Sequence, residues 1–262
     1  MYQRLKSAAR EMLRIPRGLP AEAIDEFSYT VFSDDIFLCT FPRSGNTWMR
    51  YLLAHCIDPA TEWTLQSLNL VVPDIHTEHA DLPVGPRPRI FKTHFLPSGK
   101  YPRVIYVVRD GRDAAVSYYD YEKKLSGYQS DLESFVQELC GGTIWPSSWH
   151  VHVLSWVKQE RVRPFLLVRY EDMVEDPFRE LKRVLQFAGI DRSDQIIKAA
   201  VEQVTVQLIW RESQEVSSLR EAGFKGGVSG RSGKWRETFS DELNHFFLKK
   251  AGKAMRRCGY IN

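Results

Sequence analysis

Four short apolar runs, separated by stretches with helical periodicity, constrain the fold of this chain more than any other feature of its sequence. The runs are rich in β-branched, aromatic and aliphatic residues and too short for helices, so we predict strands. Strands that alternate with helices predict an α/β fold with a central, mostly parallel sheet flanked by helices on both faces. The predicted strands are residues 36–41, 89–93, 104–108 and 165–168, and the predicted helices are residues 48–56, 112–124, 132–139, 149–159, 177–188 and 241–257.

The chain has 262 residues, 43% of them hydrophobic, which is enough for one large core. We therefore predict a single domain over residues 1–262, with an N-terminal helical extension at 1–30 and a mobile loop at 214–236. Residues 1–20 interleave cations with apolar residues. This pattern fits a short basic helix packed on its own domain, which we favour, or a weak contact with an anionic membrane surface.

Charge and cysteine content exclude several classes of protein. The 36 Lys and Arg against 33 Asp and Glu give a net charge of +3, too small for a protein that coats nucleic acid. The four cysteines form no C-x-x-C pair, so we predict neither a zinc site nor a dense disulfide framework. We see no apolar signal region at the start and no uncharged apolar run of roughly 18 residues. Together these features predict a cytoplasmic protein.

The end of the first predicted strand carries an anion-binding pattern. It leads into Pro-Arg-Ser-Gly-Asn-Thr-Trp at residues 42–48, where a helix is predicted to begin. A glycine at such a turn lets the backbone approach a ligand, and the helix N-terminus presents free N–H groups to an anion. The G-x-x-x-x-G-K-[ST] pattern of nucleotide triphosphatases is missing. Arg43 precedes the glycine and Trp48 follows it, where an indole can stack on an adenine; an ordinary turn with a buried tryptophan is the alternative.

Residues 40–48, Thr-Phe-Pro-Arg-Ser-Gly-Asn-Thr-Trp, resemble T-x-P-K-S-G-T-T-W, the 5′-phosphosulfate loop of the cytosolic-type sulfotransferases that use 3′-phosphoadenosine 5′-phosphosulfate (PAPS). The resemblance implies the P-loop-like sulfotransferase fold, PAPS as co-substrate, adenosine 3′,5′-bisphosphate (PAP) as product, and no metal. Arg43 stands where the family usually has Lys, and Asn46 where it usually has Thr. Arginine keeps the charge but is not a compact proton donor. The donor-binding residues implied in this loop are Arg43, Ser44, Gly45, Asn46, Thr47 and Trp48.

Three further segments resemble the same family, in the expected order. Residues 91–97 are similar to the K-T-H-L-P motif, which implies that His94 is the general base and that Lys92, on the same face of the strand, contacts the transferring group. Residues 104–119 resemble V-I-Y-V-x-R-N-x-x-D-x-x-V-S-Y-Y, which implies that Arg109 and Ser117 bind the 3′-phosphate of the donor. A match to Y-E-D-M implies that Tyr170 hydrogen-bonds the adenine.

A weaker match lies near the C-terminus. Residues 227–236 resemble R-K-G-x-x-G-D-W-K, but the Arg-Lys pair that binds the 3′-phosphate in the family falls on Val228 and Ser229. We expect Arg231, or a lysine at 225 or 234, to supply that charge. The family's dimerisation signature, K-x-x-x-T-V-x-x-x-E, is not matched from Arg236 onward, so we do not predict that dimer. The donor-binding residues expected in this segment are Gly230, Arg231, Ser232 and Gly233.

Other pairs of titratable residues are interpreted as structural. His150 and His152 are two residues apart, but no third ligand follows at a metal-binding spacing, and the histidines within residues 76–79 are treated in the same way. In register with the family, His152 and Trp156 line or support the acceptor pocket. The adjacent carboxylates at residues 171–172 point opposite ways in an extended chain, so we expect structural or capping roles for them.

Together the matches predict a sulfotransferase that acts by in-line displacement. His94 would take the acceptor's proton, while Arg43 and Lys92 would stabilise the sulfuryl group and the departing phosphate. The acceptor is a hydroxyl or amine of a small molecule, glycan or lipid. The motifs do not specify which, because acceptor contacts come from variable loops. The alternatives are an ATP-dependent small-molecule kinase, disfavoured by the missing G-K-[ST], and a catalytically silent nucleotide-binding protein, disfavoured by the retained Lys92 and His94.

Overall fold

A computed structural model describes residues 30–75, 87–204 and 232–262. The predicted N-terminal extension, apart from residue 30, lies outside the described residues. The same holds for the loop predicted at 214–236, of which residues 232–236 are described. The histidines within residues 76–79 also lie outside them.

The centre of the fold is a four-stranded sheet in the order β2-β1-β3-β4. Every neighbouring pair is parallel, and the register places Cys39 opposite both Thr93 and Tyr106. The carboxyl ends of the strands therefore meet at one edge of the sheet, where ligands bind in open parallel sheets. The predicted α/β class and the four predicted strands are confirmed, with bounds β1 Ile36–Thr40, β2 Ile90–Thr93, β3 Arg103–Val108 and β4 Phe165–Arg169.

Helices follow the strands and cover both faces of the sheet. Several begin at a residue whose side chain accepts a hydrogen bond from a free N–H of the first turn, as Asp110, Asp131 and Ser240 do. The described helices are α1 Asn46–Ile57, α2 Gly111–Leu125, α3 Leu132–Gly141, α4 Trp149–Val157, α5 Tyr170–Glu175, α6 Pro177–Ala188, α7 Asp194–Gln203, α8 Trp235–Thr238 and α9 Asp241–Arg257.

Two of these helices agree with the predicted bounds at both ends, namely α6 and α9. The helix predicted at 149–159 ends earlier, at Val157, and continues as the 3₁₀ turn Lys158–Arg161. The helices α5, α7 and α8 and the 3₁₀ turn Ser67–Leu70 were not predicted. For α7 a start signal was available, because the hydroxyl of Ser193 accepts a hydrogen bond from Ile196 N–H at its N-terminus.

Alternate residues of each strand enter two separate cores. On one face Ile36 and Leu38 pack with α1, α6 and α7; on the other, Phe37 and Cys39 pack with α2, α3, α4 and α9. Because strand β1 is buried throughout, its polar side chains are confined to its carboxyl end. Polar side chains of β1 can therefore contact a ligand only at the edge of the sheet where the strand ends.

Within the described ranges, none of the helices is both long enough and apolar enough to cross a membrane. All four cysteines are buried and none forms a disulfide. Burial raises the pKa of the thiols of Cys56, Cys140 and Cys258 to about 11, so they are protonated and unreactive near neutral pH.

Candidate active site

The loop from β1 to α1 is shaped to receive an anion. Arg43 and Gly45 both adopt left-handed backbone conformations, with φ of 66° and 97°. A Cβ atom on Gly45 would lie 2.7 Å from the ring of Tyr170, so a glycine is required both by its φ and by close packing. Gly45 caps α1 without a side-chain hydrogen bond, and the first turn contains no acidic residue. The helix N-terminus thus keeps its N–H groups and partial positive charge for a ligand.

Two arginines and two hydroxyl-bearing residues converge on this loop. Arg43 Nε donates to Ser117 Oγ at 3.3 Å, and Arg109 Nη1 donates to the Arg43 carbonyl at 3.2 Å. The Arg109 guanidinium also lies over the Tyr170 ring, 4.6 Å from its centroid. Ser44 Oγ is buried and has no hydrogen-bond partner among the described residues, as expected of a group that waits for a ligand. The structure therefore brings together residues that the sequence placed at three different strand ends.

Arg43 is the residue that departs most clearly from the family pattern. Its guanidinium lies 4.9 Å from the centroid of the Tyr121 ring. Burial lowers its pKa, and the positive charge of Arg109 adds to that effect. No carboxylate of the described residues pairs with Arg43. A partly buried cation whose described neighbours are aromatic rings and a hydroxyl favours an anionic ligand.

His94 is held in one tautomer by the first residue of the loop. Its Nδ1 lies 2.7 Å from the carbonyl oxygen of Thr40 and 3.1 Å from the Thr40 hydroxyl. A carbonyl oxygen only accepts, so Nδ1 carries the proton, and Nε2 of the neutral ring keeps its lone pair. Asn46 Nδ2 donates to the same hydroxyl at 3.4 Å, which connects α1 to this arrangement. His94 can therefore accept a proton at Nε2.

A second histidine supports the backbone of the first. His152 is fully buried and its Nε2 donates to the His94 carbonyl at 3.0 Å, while its Nδ1 accepts from Tyr106 OH at 2.9 Å. Burial lowers the pKa of His152 to about 3, so the ring is neutral. Trp156 Nε1 donates to the Phe95 carbonyl at 3.0 Å. Of the two roles that the family resemblance allowed for His152 and Trp156, these contacts correspond to support.

Lys92 lies on β2 two residues before His94 and is paired with a carboxylate that was missed in the sequence. Its Nζ lies 2.6 Å from Asp74 Oδ2. Burial lowers the pKa of Lys92, and the negative charge of Asp74 opposes that shift. No motif of the family resemblance contains Asp74. The available signal was its position in Val-Pro-Asp, a short distance before the Pro/Gly-rich segment 82–88 in the sequence.

Trp48 and Tyr170 meet beside the loop. Their ring centroids are 5.9 Å apart with an angle of 71° between the planes, and Trp48 Nε1 donates to the Val204 carbonyl at 3.3 Å. Both side chains are almost completely buried. Contacts of either ring with an adenine stay predictions.

The C-terminal segment is attached to α2 by side chains of that helix, chiefly the carboxylate of Asp113. Asp113 accepts from Gly233 N–H at 2.5 Å and from Trp235 N–H at 2.9 Å. The Arg112 guanidinium stacks on Trp235 at 3.6 Å, while Lys234 pairs with Asp120 at 2.8 Å. The anchoring role of Asp113 is a finding of the structure. Ser232 and Gly233 are described, whereas Gly230 and Arg231 lie outside the described residues, as do Lys225, Val228 and Ser229.

The protein-family model described as the sulfotransferase domain matches residues 33–259 of the sequence. This chain belongs to the sulfotransferase domain family. The match covers most of the chain and confirms the family that was predicted from its four motifs.

Curated relatives of this sulfotransferase align along almost their whole length. Sulfotransferase 1A1 of Bos taurus is 27% identical over 97% of this chain and 96% of its own length. Sulfotransferase 1A1 of Canis lupus familiaris is 28% identical over 97% of both chains.

Solved structures share the fold of this sulfotransferase. Mouse sulfotransferase SULT7A1, complexed with PAP, has a TM-score of 0.71 at 24% identity and covers 88% of this chain and 87% of its own. Retinol dehydratase, in complex with androsterone and the inactive cofactor PAP, has a TM-score of 0.69 at 18% identity. The match covers 97% of this chain and 86% of the retinol dehydratase chain.

Carboxylates near the site of this sulfotransferase have structural contacts. Glu171 accepts from Asp110 N–H at 3.0 Å and from Tyr260 OH at 2.8 Å, and burial raises its pKa. Asp172 lies 3.7 Å from Arg169. Across residues 30–75, 87–204 and 232–262, no group of three or more His, Cys, Asp or Glu is arranged to hold a metal ion.

Proposed function

We propose that this sulfotransferase moves the sulfuryl group of PAPS to a hydroxyl or amine of a small-molecule acceptor, with His94 as the general base. The observation that carries the proposal is the hydrogen bond from His94 Nδ1 to the Thr40 carbonyl. Thr40 is the last residue of β1 and the start of the anion-binding loop. The base and the donor loop are therefore joined directly, and the tautomer set by this bond makes Nε2 the proton acceptor of the neutral ring.

The donor residues fit PAPS by their chemistry. The buried hydroxyl of Ser44 and the free N–H groups of the first turn of α1 supply donors for the 5′-phosphosulfate. Arg109 and Ser117 supply a guanidinium and a hydroxyl for the 3′-phosphate, a common pair for oxyanions. Tyr170 packs against Gly45 and supplies a ring beside the nucleotide.

In the proposed reaction the acceptor oxygen or nitrogen attacks sulfur as the bond from sulfur to the bridging phosphate oxygen breaks. His94 Nε2 receives the acceptor's proton. Arg43 and Lys92 stabilise negative charge on the transferring group and on the departing phosphate, which is the main way in which proteins accelerate such displacements.

A small-molecule acceptor is supported by the surroundings of His94. Trp145, of which 39% is exposed, lies edge-to-face with the His94 ring at 5.7 Å and near Phe95 at 6.4 Å. An exposed indole beside the base suits an apolar or aromatic acceptor. Retinol dehydratase, which shares the fold, is named in complexes with androsterone and with retinol. The indole of Trp63, in contrast to that of Trp145, is buried and donates to the Asp58 carbonyl, which indicates a packing role and not an acceptor contact.

We also propose that the enzyme is cytoplasmic and forms a single domain. Four free, buried cysteines suit a reducing compartment. The extension at 1–30, the mobile loop at 214–236 and the donor contacts of Gly230, Arg231, Ser232 and Gly233 remain part of this proposal.

Calorimetry with PAP and with ATP–Mg²⁺ tests the nucleotide. We expect PAP to bind and to raise the melting temperature, and ATP–Mg²⁺ to do neither. The Arg109→Ala variant should bind PAP on the order of 10²-fold more weakly, because it loses charge-assisted hydrogen bonds, with little change in turnover at saturating donor. Preference for ATP–Mg²⁺ would favour a kinase, and unchanged PAP affinity in Arg109→Ala would reject Arg109 as a ligand.

The acceptor class is tested with radiolabelled PAPS and a panel of phenols, steroids, sugars and lipids. We expect transfer to small apolar phenols or steroids. Transfer only to sugars or lipids would contradict the acceptor class. PAP binding without transfer to any acceptor would favour the catalytically silent alternative.

A further inference from the structure

Lys92 and Asp74 form a largely buried ion pair at the edge of the site. The N–O distance is 2.6 Å, and the two side chains are only 10% and 17% exposed. An ammonium group in such a position requires a partner, because an unpaired buried charge is costly. The pair therefore differs from exposed salt bridges, whose removal usually has little effect.

The backbone brings the two groups together. Asp74 faces Lys92 across a parallel β-bridge, in which Lys92 N–H donates to the Pro73 carbonyl at 2.8 Å and Ile75 N–H donates to the Lys92 carbonyl at 3.1 Å. Side chains that face each other in a bridge lie on the same side of the sheet. The carboxylate thus reaches the ammonium through a fixed backbone register.

The segment that carries Asp74 is also tied to α1. Arg50 Nε donates to the Val72 carbonyl at 3.0 Å, and Arg50 Nη2 donates to Asn69 Oδ1 at 2.7 Å. The same Asn69 oxygen accepts from Asp74 N–H at 3.2 Å. Since α1 begins at the phosphate loop, these contacts connect the loop to the ammonium of Lys92.

The hydrogen bonds of Lys92 leave capacity for a substrate. An ammonium has three N–H donors, and one of them goes to Asp74. Lys92 Nζ has no second hydrogen-bond partner in the described part of the chain. Among the described residues its charged neighbours are Asp74 and, on α1, Arg50, while the titratable His94 follows two residues later on the chain.

We propose that Asp74 is a positioning residue of this sulfotransferase: its carboxylate keeps the Lys92 ammonium charged and fixed near the end of β2, two residues before His94, with its remaining N–H donors available to the sulfuryl group. This inference rests on the role proposed above for Lys92. Asp74 itself contacts neither substrate. Its effect is transmitted through Lys92, whose charge would otherwise be disfavoured by burial and by Arg50.

The test compares the affinities for PAPS and PAP without any acceptor, by calorimetry from about pH 6.5 to about pH 9.5, a range below the ordinary lysine pKa of about 10.4. PAP lacks the sulfuryl group, so a change in the PAPS-to-PAP affinity ratio reports on the contact with that group. We expect Asp74→Asn to lower the ratio about tenfold or more and to leave PAP affinity unchanged. As the pH is raised, the ratio should begin to fall at a lower pH in Asp74→Asn than in the wild type, because loss of the carboxylate lowers the pKa of Lys92.

A matched control and a second variant complete the experiment. Asp194→Asn removes the carboxylate of an exposed Lys–Asp pair with Lys182, also close at 2.7 Å, and should retain the wild-type ratio at every pH. Asp74→Glu keeps the charge but lengthens the side chain. It should retain the wild-type pH dependence while the PAPS-to-PAP affinity ratio falls a few-fold. If Asp74→Asn does not fold, Asp74→Glu provides the test instead.

The outcomes separate this inference from the proposed function. Wild-type ratios in Asp74→Asn across the whole pH range, or in Asp74→Glu where Asp74→Asn does not fold, would overturn the role of Asp74. Wild-type ratios in Lys92→Met would instead reject the sulfuryl contact of Lys92. Failure of the wild type to bind either nucleotide would reject PAPS as the donor.

Discussion

The two sides of the donor site are held by different means. On the strand-end side, defined by Thr40, His94 and His152, backbone carbonyls accept hydrogen bonds from imidazoles, of which that of His152 is fully buried. On the C-terminal side, defined by residues 232–235, backbone N–H groups are held by the carboxylate of Asp113. The Thr40–His94 contact joins the carboxyl ends of the adjacent parallel strands β1 and β2, whereas residues 233–235 are held by side chains of α2, Asp113 and Asp120 among them.

This difference predicts which property of the enzyme a substitution on each side should change. The sheet fixes the strand-end side, so substitutions there should affect chemistry or pH dependence and leave the donor in place. The C-terminal side has no strand to hold it, so loss of its anchor should affect donor affinity first.

The largest expected effect is on the strand-end side, in His94→Ala. Turnover should fall about 10²- to 10⁴-fold, because the proton acceptor is lost. PAP affinity should be unchanged, since the loop backbone is intact. Steady-state kinetics with radiolabelled PAPS and calorimetry with PAP measure the two quantities. His245→Ala, at an exposed position on α9, is the control. Full activity of His94→Ala would exclude His94 as the base.

The pH dependence of stability tests the same side through His152. Its pKa is lowered from 6.5 to about 3 in the folded protein. As pH falls below about 6.5, the unfolded state binds a proton that the folded state does not, so stability decreases with falling pH. Between pH 7 and pH 5 this group should remove about 2 kcal/mol of the free energy of unfolding. Denaturant titrations of the wild type and His152→Gln should show this loss as the difference in their pH slopes.

Gln is a suited replacement for His152 because its amide is neutral at every pH. It also offers a donor for the His94 carbonyl and an acceptor for Tyr106 OH. Equal pH slopes in the two proteins would contradict a neutral, buried His152. Since burial also lowers the pKa values of His55 and His150, only the difference between the two proteins is diagnostic.

On the C-terminal side, Asp113→Asn should weaken PAP binding by about tenfold. The carboxylate accepts two backbone N–H groups, whereas the amide presents one oxygen and an NH₂ that opposes the second donor. Turnover at saturating PAPS should change little. Asp131→Asn replaces another carboxylate that accepts a backbone N–H, from Ser134 at the start of α3, and should leave PAP affinity unchanged. A large loss of turnover with unchanged affinity would place Asp113 on the chemical side of the site instead.

The same contrast explains what the sequence predicted well. The strands, and the residues at their carboxyl ends, follow from local composition and from the parallel topology that alternation with helices requires. Asp74 and Asp113 were missed because each acts on a residue distant in sequence: Asp74 through a bridge to β2, and Asp113 through Gly233 and Trp235. A carboxylate that accepts backbone N–H groups from 120 residues away leaves no local pattern.

Arg43 lies in the loop that follows Thr40 and contacts Ser117 of α2, and Arg43→Lys should have the smallest effect. Lysine keeps the charge but loses the fixed Nε–H donor to Ser117 and the planar contact with Tyr121. We expect PAP affinity to fall about fivefold, the equivalent of one hydrogen bond of about 1 kcal/mol, with turnover changed less than affinity. Arg43→Met, which removes the charge at similar length, should lose more of both. A rise in turnover for Arg43→Lys would mean that arginine impairs this site, whereas the expected loss means that the loop is adapted to it through its contact with α2.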